Sequence, residues 1–161
     1  MDDVQALVET EAIKRLKARY ARALDTKDWE WLGSLFTPDA RSTYNDGNFA
    51  FEGRDAIIEF LEGALGTEDI VHLHQAHTPE IEITSDTTAR GSWYLEDTVI
   101  NPKTSTEHST GRTVMTGTGI YHDEYTKVQG EWLISKTGYE RIFEYTVPYH
   151  PDADLKTRWN R

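Results

Sequence analysis

The most informative absences in this 161-residue chain are cysteine, long apolar runs and glycine-rich motifs. The lack of cysteine excludes disulfides, thiolate catalysis and cysteine-ligated zinc or iron–sulfur centres. No apolar run reaches the length of about 18 residues that predicts a membrane span. The acidic start, Met1-Asp2-Asp3, lacks the apolar region of a signal peptide, which predicts a cytoplasmic protein. No phosphate-binding glycine loop, nucleophile elbow or dinucleotide fingerprint occurs, so we expect any catalysis to rest on side-chain acids, bases and hydrogen-bond donors.

Positive charge is also scarce. The chain has 17 Lys and Arg residues against 28 Asp and Glu, a formal net charge of −11. Such a field repels phosphate backbones and anionic lipid surfaces, which argues against nucleic-acid and membrane partners. A small anionic substrate stays compatible with it, because the charge around one site can differ from the net charge. The length predicts a single domain over residues 1–161.

The first part of the chain has the period of amphipathic helices. Apolar side chains at three- and four-residue steps predict a helix over residues 4–24, with charged residues, Lys17 among them, on its remaining positions. A short second helix is expected over 28–35, capped by Asp28 and stopped by the pair Thr37-Pro38. A third is predicted over 55–65.

The rest of the chain alternates like β-strands. Two short strands are expected around the turn at 45–48, and longer candidates cover 71–84, 88–99, 111–126 and 131–146. Alternation places Tyr139, Arg141 and Phe143 on one face of the last strand. Helices followed by long strands predict an α+β fold, in which a curved, mostly antiparallel sheet is wrapped by three N-terminal helices. Such a cone-shaped barrel encloses a pocket.

Three clustered histidines are the first candidates for chemistry. His72, His74 and His77 lie within six residues, and on a strand His72 and His74 share one face while His77 takes the other. Histidine titrates nearest neutral pH, which suits an acid–base group. Two histidines without a spaced third ligand are weak evidence for a metal, so no metal site is predicted.

Asp25 is a carboxylate in an unfavourable place. It ends the first predicted helix, where the helix dipole is negative, and this cost suggests a specific partner such as a donating histidine. An ordinary solvated turn residue is the alternative. Tyr20 lies five residues earlier, about 140° away around an ideal helix. The two share a pocket only if the helix frays or the pocket wall wraps around both.

Asp97 and Arg141 are charged residues on otherwise apolar strand faces. Asp97 shares its face with Trp93 and Leu95, and Arg141 stands between Tyr139 and Phe143. A charge in such surroundings needs a partner, so an Asp97–Arg141 pair is expected. It would be either a structural ion pair or part of a substrate site.

Several strings resemble one known family. The helix pattern Ala12-Ile13-Lys14-Arg15-Leu16-Lys17 with Leu24-Asp25 resembles the SnoaL-like group of the nuclear transport factor 2 superfamily. The strings His77-Thr78-Pro79-Glu80-Ile81, Trp93-Tyr94-Leu95-Glu96-Asp97 and Thr137-Gly138-Tyr139-Glu140-Arg141-Ile142 are most similar to its bile acid 7α-dehydratase branch. The resemblance runs over about residues 10–145. It implies a cone-shaped α+β barrel with a deep, mostly apolar pocket, no cofactor and a homotrimer.

The resemblance also implies roles for individual residues. The catalytic set that it transfers is Tyr20, Asp25, His74, Asp97 and Arg141. Substrate contacts are expected from Tyr44, Trp93 and Tyr139.

The expected activity is a hydro-lyase that removes the 7α-hydroxyl of a 3-oxo-4-ene bile acid or related steroid, free or as a CoA thioester. His74 would take the proton, with Asp25 fixing its tautomer, and Tyr20 would polarise a substrate oxygen. One alternative is a ketosteroid isomerase-like or polyketide dehydratase or cyclase activity on the same fold. The other is a ligand-binding module without catalysis.

Overall fold

The computed structural model describes residues 2–101, 113–150 and 152–159. Its helices are α1 (Asp3–Asp25), α2 (Trp29–Ser34) and, after the first two strands, α3 (Arg54–Leu65). The strands are β1 (Phe36–Tyr44), β2 (Phe49–Glu52), β3 (Val71–Ile83), β4 (Thr88–Asn101), β5 (Thr113–Val128) and β6 (Glu131–Pro148). Within the described part of the chain, no helix is both long and apolar enough to cross a bilayer.

The six strands form one curved sheet in the order β2-β1-β6-β5-β4-β3. Only β1 and β6 run parallel; every other neighbouring pair is antiparallel. The predicted α+β class and mostly antiparallel sheet are therefore confirmed. The sheet is unclosed, because β2 and β3 are its edges and do not pair with each other. It forms a trough rather than a closed barrel, and the helices cover its open side.

Local chemistry accounts for most of the helix ends. The side chain of Asp2 accepts a hydrogen bond from the Gln5 amide at the start of α1, and Asp28 does the same for Trp31 at the start of α2. The predicted second helix ends at Ser34, one residue early, and strand β1 begins at once. Pro38 lies inside β1, where the register with β6 shifts between Phe36 and Arg41, as expected of a residue that has no N–H to donate.

The core lies between α1 and the inner face of the sheet. α1 packs against β3 and β6, and α3 packs against β1 and β2. Apolar side chains such as Ile13, Leu95 and Ile134 are fully buried here, each contributing roughly 1.5–3 kcal/mol of transfer free energy. The prediction that Lys17 lies on the polar face of α1 is wrong. Its side chain is only 1% exposed and lies in this core.

A β-bulge in β6 changes which side chains face the trough. Gly119 on β5 pairs with Arg141, whereas Thr118 pairs with Phe143, so Ile142 is the extra residue. Beyond the bulge the alternation is inverted. The expected face of Tyr139, Arg141 and Phe143 is therefore wrong at its last member: Phe143 is 56% exposed, and Glu144 takes the inner position opposite Gly117.

The predicted break at 100–110 falls mostly on residues 102–112, which lie outside the described residues. On either side of it, β4 continues to Asn101 and β5 begins at Thr113.

Candidate active site

One cavity of about 240 Å³ lies at the open side of the trough, between the end of α1, α3 and the inner face of the sheet. Its lining divides into a charged wall, a wall of tyrosines and an apolar wall. The lining residues are Tyr20, Leu24, Tyr44, Asn45, Phe49, Phe60, Leu61, Ala64, Leu65, His74, Asp97, Val99, Met115, Tyr121, Tyr139, Arg141 and Glu144.

The charged wall begins with the pair His74 and Asp25. His74 Nδ1 donates to Asp25 Oδ1 at 2.8 Å, and the His74 backbone N–H donates to Asp25 Oδ2 at 2.9 Å. The carboxylate thus holds both the ring and the main chain of β3. With Nδ1 occupied by this bond, Nε2 is the ring nitrogen left to accept a proton from a molecule in the cavity. The expected partner of Asp25 is present.

Asp25 reaches this position without any fraying of α1. The helix includes Asp25 as its last residue, and the chain turns away at Thr26. Tyr20 and Asp25 point to different sides of the helix, as the helical geometry requires. The cavity wall extends around both, because Tyr20 lines it directly while Asp25 lies behind His74.

His72 is a second partner of Asp25 that the sequence reading did not select. Its Nδ1 donates to the same Oδ1 at 3.2 Å, and its side chain is fully buried. Burial alone would raise the pKa of Asp25, but the hydrogen bonds from His72 and His74 hold it below the usual value. Asp25 is therefore an ionised acceptor shared by two imidazoles.

The same three residues are the one group with metal-ligand potential among the described residues. Their ligand atoms lie within 4.8 Å of one another. However, the Nδ1 atoms already lie at hydrogen-bond distance from Asp25, and protons account for this geometry. Asp25 and His72 are also not among the residues that line the cavity.

The charged wall continues with Asp97 and Arg141. Asp97 pairs directly with His74 across β3 and β4, which brings the two side chains to the same face. Arg141 Nη1 and Nη2 donate to Asp97 Oδ1 and Oδ2 at 2.5 and 2.8 Å, a two-pronged ion pair. Burial lowers the pKa of Arg141, but its hydrogen bond with Asp97 and the nearby negative charges of Asp97 and Glu144 together raise it above its usual value. Arg141 Nε also faces Glu144 Oε2 at 3.2 Å.

Gly117 makes this pair possible, and the sequence reading missed it. Arg141 on β6 must cross strand β5 to reach Asp97 on β4, and Gly117 is the β5 residue that lies below the crossing. A Cβ at Gly117 would lie 2.8 Å from Asp97 Oδ1 and 2.9 Å from Arg141 Cζ, both closer than van der Waals contact. The guanidinium can lie this close to strand β5 because position 117 has no side chain.

Four tyrosines, Tyr20, Tyr44, Tyr121 and Tyr139, form what we call the tyrosine wall. Neighbouring rings lie 5.7–6.3 Å apart between centroids. The pKa of all four phenols is raised, mainly because they are buried, so they stay protonated and can donate hydrogen bonds at neutral pH. The hydroxyls of Tyr20 and Tyr44 have no hydrogen-bond partner of good geometry among the described residues. Tyr121 is the member that sequence reasoning did not find.

The apolar wall is supplied by α3 and β2. Phe60 stacks on Tyr44 at 5.7 Å and on Phe51 at 4.4 Å between ring centroids, which fixes the aromatic side of the cavity. Leu61, Ala64 and Leu65 complete this side. A flat, ring-shaped molecule would be held between the aromatic surface and the charged wall.

Trp93 was expected to contact the substrate, but it is not among the residues that line the cavity. It lies on the inner face of β4, four residues from Asp97, in the closed part of the core. Its Nε1 donates to the hydroxyl of Tyr125 at 3.0 Å. His77, as expected, lies apart from the other histidines and is about half-exposed.

The structure therefore brings most of the predicted residues to one cavity. Of the predicted residues, the structure places Tyr20, His74, Asp97, Arg141, Tyr44 and Tyr139 on its lining, with Asp25 directly behind His74. An imidazole with an ionised partner, protonated phenols and a guanidinium can move a proton and stabilise negative charge on a substrate oxygen.

Known proteins share this fold. A candidate scytalone dehydratase from Novosphingobium aromaticivorans superposes with a TM-score of 0.75 at 29% identity, over 92% of each chain. The hexachlorocyclohexane dehydrochlorinase LinA-type3 of Novosphingobium barchaimii gives a TM-score of 0.74 at 18% identity, over 93% of this chain and 99% of that one, which shows a common fold. The candidate cyclase FGR4 of Gibberella zeae is 22% identical over 141 residues, 81% of this chain and 89% of that protein.

The family model of the SnoaL-like domain matches residues 5–138, which span both the helices and the strands that build the cavity. The resemblance noted in the sequence is thereby confirmed at the level of the family. This chain belongs to the SnoaL-like domain family.

Proposed function

We propose that this protein is a lyase that eliminates water from a hydroxylated cyclic ketone, with His74 as its acid–base group. The observation that carries the proposal is the 2.8 Å hydrogen bond from His74 Nδ1 to the ionised Asp25, on the wall of a largely apolar cavity. A histidine held in one tautomer by a carboxylate is suited to taking a proton at Nε2 and returning it. The relatives named as a dehydratase, a dehydrochlorinase and a cyclase support a reaction of this class.

The proposed reaction has two steps on a β-hydroxy ketone or its vinylogue. His74 Nε2 removes a proton from the carbon next to the hydroxyl-bearing carbon, and the electron pair moves onto the ketone oxygen as an enolate. The enolate then collapses, the carbon–oxygen bond breaks, and the imidazolium returns the proton to the departing hydroxyl. The products are water and a more conjugated ketone. Asp25 stabilises the imidazolium between the steps.

Negative charge on the ketone oxygen needs hydrogen-bond donors. Tyr20 has a buried hydroxyl that finds no good partner among the described residues, so we assign it to that oxygen. Arg141, fixed by Asp97, orients the distal end of the substrate and supplies positive charge there. Tyr44 and Tyr139 provide ring surface beside it.

The finer proposal concerns the substrate. The sequence resemblance favours a 7α-hydroxy-3-oxo-4-ene bile acid or related steroid, free or CoA-linked. The size of the cavity favours a second candidate, a polyketide-derived ketone with one or two rings. Pockets for drug-sized ligands span roughly 300–1,000 Å³. At about 240 Å³, this cavity would hold two fused rings, whereas a steroid would extend through its mouth.

An isomerase is the less favoured alternative, because isomerases of this fold commonly use a carboxylate as the base. Here the carboxylate lies behind a histidine. A homotrimer and a cytoplasmic location stay predictions from the sequence, and light scattering on the purified protein tests the first of them.

Turnover of a 7α-hydroxy-3-oxo-4-ene steroid and of a two-ring β-hydroxy ketone tests the proposal. Loss of water extends the conjugation and adds a long-wavelength absorption band. His74→Ala and Asp25→Asn should each lower kcat/KM by a factor of about 10²–10⁴. The matched control is His77→Ala, a histidine of the same strand that lies outside the cavity, and it should retain full activity. If both active-site variants remain folded and keep the wild-type rate, the assignment is wrong.

A further inference from the structure

The proposed reaction leaves one buried charge pair unused. Lys17 on α1 and Asp123 on β5 form an ion pair of 2.7 Å, and their side chains are 1% and 0% exposed. A buried pair of this kind is costly to desolvate and often adds little to stability compared with apolar residues. Its position, directly behind the tyrosine wall, suggests what it does.

The ammonium of Lys17 lies against the rings of two cavity-lining tyrosines. Its Nζ is 3.5 Å from the centroid of the Tyr121 ring and 4.7 Å from that of Tyr20. Contacts of this type are strongest where water is excluded. A cation over the face of a phenol draws electron density from the ring, and the hydroxyl becomes a better donor to an anion.

Asp123 is held away from the cavity by its other partners. It accepts hydrogen bonds from Thr137 Oγ1 at 2.7 Å and from the Tyr125 hydroxyl at 2.8 Å. Tyr125 in turn accepts from Trp93. The carboxylate is therefore anchored in the closed part of the core, while the ammonium contacts the rings. The ammonium is the charge of the pair that contacts the rings of Tyr20 and Tyr121, while the charge of Asp123 also reaches these phenols and contributes to their raised pKa.

We propose that Lys17 is a positioning residue that makes the hydroxyls of Tyr20 and Tyr121 a binding site for an oxyanion of the enolate or phenolate class. This rests on the proposed function, in which negative charge develops on a ketone oxygen. Tyr121 joins Tyr20 as a donor, and Lys17 acts through both without touching the substrate. The titratable groups in contact with Lys17 are Asp123, Tyr20 and Tyr121.

The test uses 2-naphthol, a two-ring phenol whose neutral and ionised forms differ in absorption and fluorescence. We expect the wild-type protein to bind the naphtholate in preference, so that the bound probe ionises at a lower pH than the free probe. In the double variant Lys17→Met/Asp123→Asn, the ionisation pH of the bound probe should rise by about one unit, a tenfold loss of preference for the anion. Affinity for neutral naphthol should change less than threefold.

The matched control removes a similar pair that is remote from the cavity. Lys127 donates to Glu9 at 2.6 Å near the start of α1, and neither residue lines the cavity. Lys127→Met/Glu9→Gln should leave the ionisation of bound naphthol unchanged. If the Lys17–Asp123 pair had only a structural role, Lys17→Met/Asp123→Asn would also leave the ionisation of bound naphthol unchanged. That result would overturn the proposal.

If that variant does not fold, Lys17→Gln/Asp123→Asn keeps a neutral hydrogen bond in its place and is measured in the same way. The wild-type protein provides a reading that needs no variant: bound naphthol that ionises no more readily than free naphthol also overturns the proposal. Naphthol is not turned over, so the two proposals fail separately. A protein without dehydratase activity that still shows the Lys17-dependent shift would refute only the proposed reaction.

Discussion

Replacing Gly117 by alanine tests how the charged wall is assembled. The added Cβ would lie 2.8 Å from Asp97 Oδ1 and 2.9 Å from Arg141 Cζ, so the guanidinium must lift off strand β5. Both of its hydrogen bonds to Asp97 would then lengthen from their present 2.5 and 2.8 Å. Hydrogen bonds to buried charged groups contribute about 1.5–3 kcal/mol, whereas complete loss of a buried partner costs about 3–5 kcal/mol. Because alanine keeps both partners, we expect a loss of about 1–3 kcal/mol in the free energy of unfolding.

The effect on activity follows from the same displacement. If Arg141 orients the substrate, a shift that weakens its contact by about 1.4–2.8 kcal/mol lowers kcat/KM by a factor of about 10–100. Urea unfolding measures the free energy of unfolding, and the absorption band that appears on loss of water measures kcat/KM.

Gly63 provides the matched control for the same chemical change. It lies in α3, and a Cβ at Gly63 would meet no atom within 4 Å. Gly63→Ala should therefore stabilise the protein by about 0.5–1 kcal/mol, since alanine is the better helix former. The cost at Gly117 should also depend on the guanidinium. In an Arg141→Met background, Gly117→Ala should cost less than in the wild type, because only the close contact with Asp97 Oδ1 remains. Two results would refute the idea that position 117 is glycine because Arg141 crosses β5 there. One is a Gly117→Ala variant with wild-type stability and kcat/KM, and the other is an equal loss of stability from Gly117→Ala in the Arg141→Met background.

The same geometry gives three more expected outcomes. The pKa of Asp25 is lower in the folded protein than the ordinary carboxyl pKa, which is near 4. Ionised Asp25 therefore stabilises the fold above about pH 4, and this effect is lost as the pH falls through the pKa of the folded state. In urea titrations the stability gap between wild type and Asp25→Asn should thus narrow below about pH 4, and a widening gap would contradict this. Tyr20→Phe should lower kcat about 100-fold without lowering the Tm, because the hydroxyl has no good protein partner in the described chain; a lower Tm would show a structural role. Ile134→Ala empties a fully buried site that does not line the cavity, so it should cost about 2–5 kcal/mol in urea unfolding at unchanged kcat/KM.

The elements that depend on local pattern were predictable. The apolar period of α1, the proline that follows α2 and the turn at 45–48 are all signals carried by a few neighbouring residues. The awkward position of Asp25 at a helix end indicated a hydrogen-bonding partner, and the structure supplies His74 and His72. Asp97 and Arg141 were expected to pair because charges on apolar faces need partners, and they do.

The features that the sequence did not predict depend on contacts between distant parts of the chain. The bulge at Ile142 depends on the register between β6 and β5, and the alternation of residues within β6 does not reveal it. The burial of Lys17 depends on an aspartate more than a hundred residues away in the chain. Trp93 has the residue type of a substrate contact, but its distance along β4 from the cavity mouth was not visible in the sequence.

By itself the sequence determined the class of fold, the acid–base candidates and the absence of cysteine chemistry, because these depend on residue type and on periods of two to four residues. The family resemblance selected His74 and Asp25 from those candidates. Only the tertiary structure decided that His72 shares the Asp25 carboxylate, that a glycine lies under Arg141, and that a lysine lies behind the tyrosines. The physical reason is that a site is a set of distances between strands and helices. Those distances are fixed by register, bulges and packing across the whole sheet, and no short stretch of sequence contains them.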